Sequence, residues 1–420
     1  MRGLVCVLIA LLAFACNGGE EGPRTATPAA SPSATAQATA TATSQATTTP
    51  TAVPTAVEYP PKVSLTERGV YLIRPDGTGL RNLTPGEEYF YRFRWSPDGS
   101  RIAVVTSACD APRVSVVDVD GGGAVEVAAF DGSAGGQWIV WGMQWSPDGR
   151  QLAVPAWRYE EGAPYHTFLV NADGSGEPVE LFEGLPLGWS PDGESLAFSA
   201  RSDEIATLNI LDMTTRTATV MDRGWSFSYF AWSPDGQRMA YSVYSTDTGP
   251  EQVVVMDPDG ENRRVVAESG SQPEWSPDGK YLAFIDTGGS VNVVQVSTSA
   301  DPVPLAPGEE FRWSPRGDAI LIRYASSLRL VNLTTHQAVD LVSDVLPGPG
   351  MSFSPDGERL IFVGSGEEEG VTNALFVVNT NGASLQNLAR PSSIIGVGVE
   401  WSPDGRYIAF DDTSVGSCVV

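Results

Sequence analysis

Short apolar stretches alternate with compact polar turns along most of the chain. Runs such as Ile102-Ala103-Val104 and Leu282-Ala283-Phe284 have the content of strands, and each closely follows a Ser-Pro-Asp-Gly turn. A large aromatic residue stands immediately before that turn. Pro fixes φ at the second turn position, Asp accepts from nearby backbone N–H groups, and Gly takes the left-handed position that closes the turn. The local prediction is strand, tight turn, strand: a β-hairpin.

The aromatic anchors are Trp95, Trp145, Trp189, Trp232, Trp275, Trp313, Phe353 and Trp401. Successive anchors lie 50, 44, 43, 43, 38, 40 and 48 residues apart, a mean of about 44, the length of one β-propeller blade. A second hairpin, turning on Asp-Gly, alternates with the first. It is clearest at Tyr71–Thr84 (Asp76-Gly77), Phe168–Phe182 (Asp173-Gly174) and Val253–Val266 (Asp259-Gly260). Two hairpins give four strands, so each repeat reads as one four-stranded antiparallel blade.

The chain opens with a second hairpin and closes with a first, Glu400–Asp411. Together these pieces complete one blade, so N- and C-terminal strands should pair and leave no open ring edge. The expected fold is all-β, an eight-bladed β-propeller, with seven blades as the alternative if the copy at Phe353 is not a full blade. Two copies are altered: Phe353 replaces Trp, and Arg316 replaces Asp in Ser314-Pro315-Arg316-Gly317. Weakened turns are expected there, not lost blades.

Aromatic, Ser-Pro-Asp-Gly, apolar strand, then a strand ending in Asp-Gly and a short strand toward Leu-Thr: this order resembles the TolB-like propeller repeat, also called WD40-like or PD40. The resemblance covers roughly Val70 to the C-terminus. It implies scaffold or adaptor roles at a bacterial cell envelope, without naming a partner. Related propellers cap the hydrolase domain of prolyl-oligopeptidase-like enzymes, and some polysaccharide lyases share the repeat but rely on His and metal ligands.

The N-terminal region has a different character. Met1-Arg2, an apolar run from Leu4 to Phe14, and Ala13-Phe14-Ala15 before Cys16 read as an export signal over residues 1–15, too short for a mature membrane span. Ordinary signal cleavage and lipoprotein processing both cut before Cys16. The lipoprotein reading, with Cys16 lipidated, is favoured by residues 16–62, which are dominated by Thr, Ala, Pro and Ser and read as a disordered tether. Residues 63–420 form the expected propeller. The protein is then held at the extracytoplasmic face of a membrane or at the cell surface through its lipid only.

Of four cysteines, Cys6 leaves with the signal and Cys16 takes the lipid. Cys109 falls in the first blade and Cys418 in the last, and these are neighbours in a closed ring. A Cys109–Cys418 disulfide stapling the ring is expected, with two unpaired thiols as the alternative.

Composition narrows the function. The chain has 26 basic and 51 acidic residues, formally −25, which argues against nucleic acid and fits a basic partner or simple solubility. Two histidines, His166 and His336, cannot build a His-rich metal site, and no Gly-x-Ser-x-Gly elbow, Walker loop or Rossmann fingerprint is present. No enzyme, cofactor or metal is expected, and a monomer is. The repeated turns fall on one face of the ring, so binding should use the irregular segments of the other. Trp138, Trp157 and Tyr159 are the candidate ligand-binding residues there, near Glu87, Glu88, Glu160 and Glu161. Trp141, Tyr229 and Phe230 are expected to pack between blades or start innermost strands. A protein or cell-envelope component is the expected partner, with a carbohydrate-binding or carbohydrate-active (lyase or hydrolase) propeller as the alternative.

Overall fold

The structure, a computed structural model, describes residues 69–412 apart from 86–89, 109–110, 131–137, 141, 159, 161–162, 203–204, 299, 336, 343–344, 367–373 and 390–394. The signal, the tether, Cys16, the Cys109–Cys418 pair, Tyr159, Trp141 and His336 lie outside the described residues.

Eight antiparallel sheets hold all the described strands, and no helix occurs among the described residues. Blades are numbered one to eight from Trp95 to Trp401. In blade two the innermost strand is broken into Trp138–Val140 and Gln144–Trp145, both paired with Gln151–Arg158. The other seven blades have four strands each. Blade eight is assembled from both ends of the chain: Gly69–Ile73 pairs with Ile408–Asp412, with Leu72 opposite Ala409. The expected ring closure is present, and Phe353 anchors a full blade.

The Ser-Pro-Asp-Gly turn gains most of its order from its serine. In blade one Ser96 Oγ donates to Asp98 Oδ1 (2.6 Å) and accepts from the Arg101 N–H (3.0 Å). Asp98 Oδ1 also accepts from the Ser100 N–H at 3.0 Å, and Gly99 N–H donates to the Ser96 carbonyl at 2.9 Å. The turn glycines have φ between 68° and 76°, the left-handed region only Gly enters without strain. Blade six lacks the Asp, yet its turn keeps the same form. Ser314 Oγ donates instead to Asp318 Oδ1 at 2.6 Å, and Arg316 reaches across to the Asp356 carbonyl at 3.0 Å. A neighbouring carboxylate has taken over the missing role.

Neighbouring turns touch. A Cβ placed on Gly193, Gly236 or Gly317 would lie 3.5 Å from the turn proline of the preceding blade, and one on Gly99 would lie 3.3 Å from Pro403. The series therefore runs around the ring and across the closure.

Between blades the core follows the same period. Seven residues after each anchor stands Ile102, Leu152, Leu196, Met239, Leu282, Ile320, Leu360 or Ile408, none with exposed surface. The next residue is Ala in six blades (Ala103, Ala153, Ala197, Ala240, Ala283, Ala409), small enough for the adjoining sheet to approach. The anchors latch neighbours together through the indole N–H. Trp145 donates to the Arg94 carbonyl (3.1 Å), Trp232 to Gly188 (3.0 Å), Trp275 to Ala231 (3.1 Å) and Trp313 to Glu274 (3.0 Å). Each acceptor is the residue just before the preceding blade's anchor. The Nε1 atoms of Trp95, Trp189 and Trp401 are buried without a hydrogen-bond partner.

Candidate recognition site

Opposite the turn face, each blade presents the start of its first and third strands and the end of its second. The innermost strands are irregular there. Register shifts interrupt the first-to-second strand pairing in blades one, three, four, five, seven and eight. Tyr229 (φ 42°), Gln272 (φ 59°) and Gly350 (φ 91°) each stand three residues before an anchor with left-handed backbone. Such a conformation costs a non-Gly residue about 1–3 kcal/mol, and a bulge re-aims its side chain. Tyr229 is accordingly 45% exposed: of the two expectations, packing between blades or a place in the innermost strand, it meets the second, within Ser226–Trp232. Phe230 does pack as expected, edge-on to Trp232 with ring centroids 5.6 Å apart.

The two described candidates from the sequence do not form one platform. Trp138 pairs with Arg158 and Trp157 pairs with Ile139, so the two rings project to opposite faces of blade two. Trp138 belongs with the core toward blade one: Phe168 and His166 meet it edge-on at 6.0 Å, and the Arg158 guanidinium lies over it at 5.0 Å. His166 Nδ1 is 2.8 Å from Glu180 Oε1, so this histidine is engaged within its own blade. Trp157 is half-buried against Tyr165, at 5.8 Å. A further indole, Trp225, opens the link into blade four. The Arg201 guanidinium lies 4.9 Å over its ring and donates to its carbonyl at 3.1 Å.

Blade four concentrates the chemistry at this end. Its strands Ser226–Trp232, Met239–Tyr244 and Glu251–Met256 place Ser228 opposite Ser242, and Tyr244 opposite Glu251. Alternation puts Ser228, Ser242, Tyr244 and Glu251 on one face of the sheet. The Ser228 and Tyr244 hydroxyls both hydrogen-bond the Glu251 carboxylate. Burial pushes the Glu251 carboxyl above its ordinary range, and the two hydroxyls only partly offset this. No cationic side chain among the described residues acts on it. The Tyr229 phenol is raised as well, first by burial and then by Glu251. Sequence reading passed over this set, because its members come from three strands and meet only once the register is known.

A second polar group lines the ring axis at the positions just before the anchors. Arg94 Nη1 meets Glu400 Oε1 at 2.9 Å, and Arg312 Nη2 meets Glu310 Oε1 at 3.0 Å. Arg323, 9% exposed, holds Glu309 at 2.8 Å and Glu310 at 3.2 Å. Burial raises the carboxyls of Glu274 and Glu400. Arg312 opposes the rise at Glu274; Arg94, Arg312 and Arg92 oppose it at Glu400. These carboxylates have resident counter-charges; Glu251 has hydroxyls. Among the described residues no three His, Cys, Asp or Glu side chains come together as a metal-binding group.

Residues 136–322 match the family model of the TolB beta propeller domain, PD40. Among solved structures, the C-terminal WD40 domain of Sif2 is 14% identical, with 76% of this chain and 95% of that chain covered and a TM-score of 0.52. A putative TolB from Agrobacterium tumefaciens is 16% identical over 82% of this chain and 98% of that chain, at a TM-score of 0.41. An oligogalacturonate lyase from Vibrio parahaemolyticus is 14% identical over 82% and 98%, at 0.47. No curated protein sequence matches the chain.

Proposed function

Because the chain contains a TolB-type propeller, we propose that it is a non-catalytic binding scaffold exported from the cytoplasm, held at the membrane through Cys16, which recruits a protein or envelope component. Recognition belongs to the irregular face over blades two to five. One observation carries this reading: partly exposed aromatic rings (Trp157, Trp225, Tyr229, Tyr244) stand at that end beside polar groups, while the other end is a repeated lattice of closed turns. Aromatic rings of this kind supply contact area at low entropy cost.

The test is in-cell crosslinking with mass spectrometry on the full-length protein, wild type against the double variant Trp157→Ala, Tyr229→Ala. A defined protein captured by the wild type and reduced about tenfold or more in the variant is the expected result. No capture at good expression would sink the scaffold reading. A second reading, a carbohydrate-active propeller, draws on Glu274 and Glu400, axial carboxyls that burial raises above their ordinary range against the pull of nearby arginines. Release of reducing ends from a polysaccharide panel, lost in Glu274→Gln, would favour it.

A further inference from the structure

The hydroxyl-lined carboxylate of blade four is a built site with no counter-charge among the described residues. Glu251 shares its sheet face with Val253, which packs in one core cluster with Trp275, Leu282 and Phe284 of blade five. The carboxylate therefore stands at the loop-face edge of the seam between blades four and five. Ser228 and Tyr244 hold it in place. On the same face, opposite Ser228, Ser242 is fully buried and its hydroxyl has no hydrogen-bond partner. The strained backbone of Tyr229 keeps a phenol ring half in solvent within electrostatic reach of the carboxylate. Two partly buried glutamates of the inner strands differ in having cationic neighbours: Arg94 faces Glu400, and Arg323 faces Glu310.

We propose that Glu251, with Ser228, Tyr244 and Tyr229, forms a recognition site for an organic cation, the ammonium or guanidinium of a basic side chain on a protein partner. A cation entering here supplies the charge the carboxylate lacks. It meets aromatic faces that attract it, and its N–H groups can use acceptor positions that the local hydroxyls leave open. The protein's net charge of −25 steers such a group toward the surface. Glu251 sets the requirement for positive charge, Ser228 and Tyr244 fix the carboxylate's orientation, and Tyr229 contributes a π face. The assignment rests on reading this end of the ring as the recognition surface.

The probes are short capped peptides, Gly-Lys-Gly, Gly-Arg-Gly and uncharged Gly-Gln-Gly, with spermidine as a fourth, titrated into the full-length protein at constant ionic strength. Backbone amide shifts are the readout. Lys or Arg peptide should move signals of residues 226–230, 242–244 and 251, and Gln peptide should not. Affinity should fall about tenfold or more in Glu251→Gln, which keeps the shape, and about threefold in Tyr229→Ala. Equal shifts with the Gln peptide, no shifts in these segments, or unchanged binding in Glu251→Gln would overturn the site. Spermidine outcompeting both peptides would overturn its assignment to a protein side chain. A partner captured in cells by wild type and Glu251→Gln alike would sink this site and leave the scaffold reading standing. Loss of all capture with peptide binding intact would do the reverse.

Discussion

In the turn of blade five, the Ser276 hydroxyl donates to Asp278 Oδ1 at 2.7 Å and accepts from the Tyr281 N–H at 3.0 Å. At the other end of the ring, the Ser242 hydroxyl of blade four is equally buried and bonds to nothing. At the turn end the serine hydroxyls bond locally to a carboxylate and a backbone N–H, and the arrangement repeats blade after blade. The other end keeps carboxylates, hydroxyls and aromatic rings in surroundings that differ between blades. A repeated, internally satisfied lattice fixes the scaffold but leaves little free polar chemistry for a partner. Unmet polar groups cost stability and are what a ligand can use.

The widest test of this contrast is a pair of serine deletions. Ser276→Ala removes the acceptor of a backbone N–H and the donor to Asp278, so it should cost about 1–3 kcal/mol and lower the thermal midpoint by several degrees. Ser242→Ala removes a buried hydroxyl with no partner and should be neutral or slightly stabilising. Thermal unfolding of both variants checks the pair, and equal losses would erase the proposed difference between the two ends.

A smaller effect separates anchors within the ring. Trp275 Nε1 donates to the Ala231 carbonyl, whereas Trp401 Nε1 is buried without a partner. Trp275→Phe should therefore cost about 1 kcal/mol more than Trp401→Phe after the shared loss of ring volume. Blade seven already carries Phe353, 8% exposed, in this slot. Chemical denaturation of the two variants reads the difference, and a larger loss in Trp401→Phe would contradict the latch.

What was legible in the sequence follows the same divide. The turn face repeats, so anchors, turn glycines and interlocked ends could be read from spacing, and the ring has eight blades as that spacing implied. Even there the serine's part was missed, because its bonds run to backbone atoms that only a closed turn brings near. Asp318 was missed for a related reason: it takes over from a residue two positions earlier. At the loop end, composition pointed to Trp138 and Trp157, but abundance of rings says nothing about the side to which each points. Strand parity sends these two to opposite faces of blade two. Glu251 and Ser228 are 23 residues apart, and Tyr229 is exposed because of a bulge that apolar patterning does not reveal. The legible signals were the periodic ones, and the candidate site is where the period breaks.

The smallest predicted effect tests the contrast through pH. Asp98, Asp148, Asp192, Asp235 and Asp356 are held below the ordinary carboxylate range first by their turn serines. Asp278 is lowered to about 2, first by Lys280 and then by Ser276. A depressed folded pKa contributes stability above the unfolded value, near 3.8, that is lost as pH falls toward about 2. Asp278→Asn should thus be less stable than wild type near neutrality and converge with it in acid. Glu251 has the opposite sign. Its folded pKa is raised above an ordinary 4.5, so the folded state holds the proton more tightly and stability declines as pH climbs through that window. Relative to wild type, Glu251→Gln should gain stability as pH rises above about 4.5, then level off. Both carboxylates are partly solvent-screened, so each difference should stay within about 2 °C. Midpoints measured from pH 2 to 8 should give difference curves of opposite slope. Parallel slopes would mean that Glu251 is not an uncompensated carboxylate, which would remove the reason for a cation to bind there.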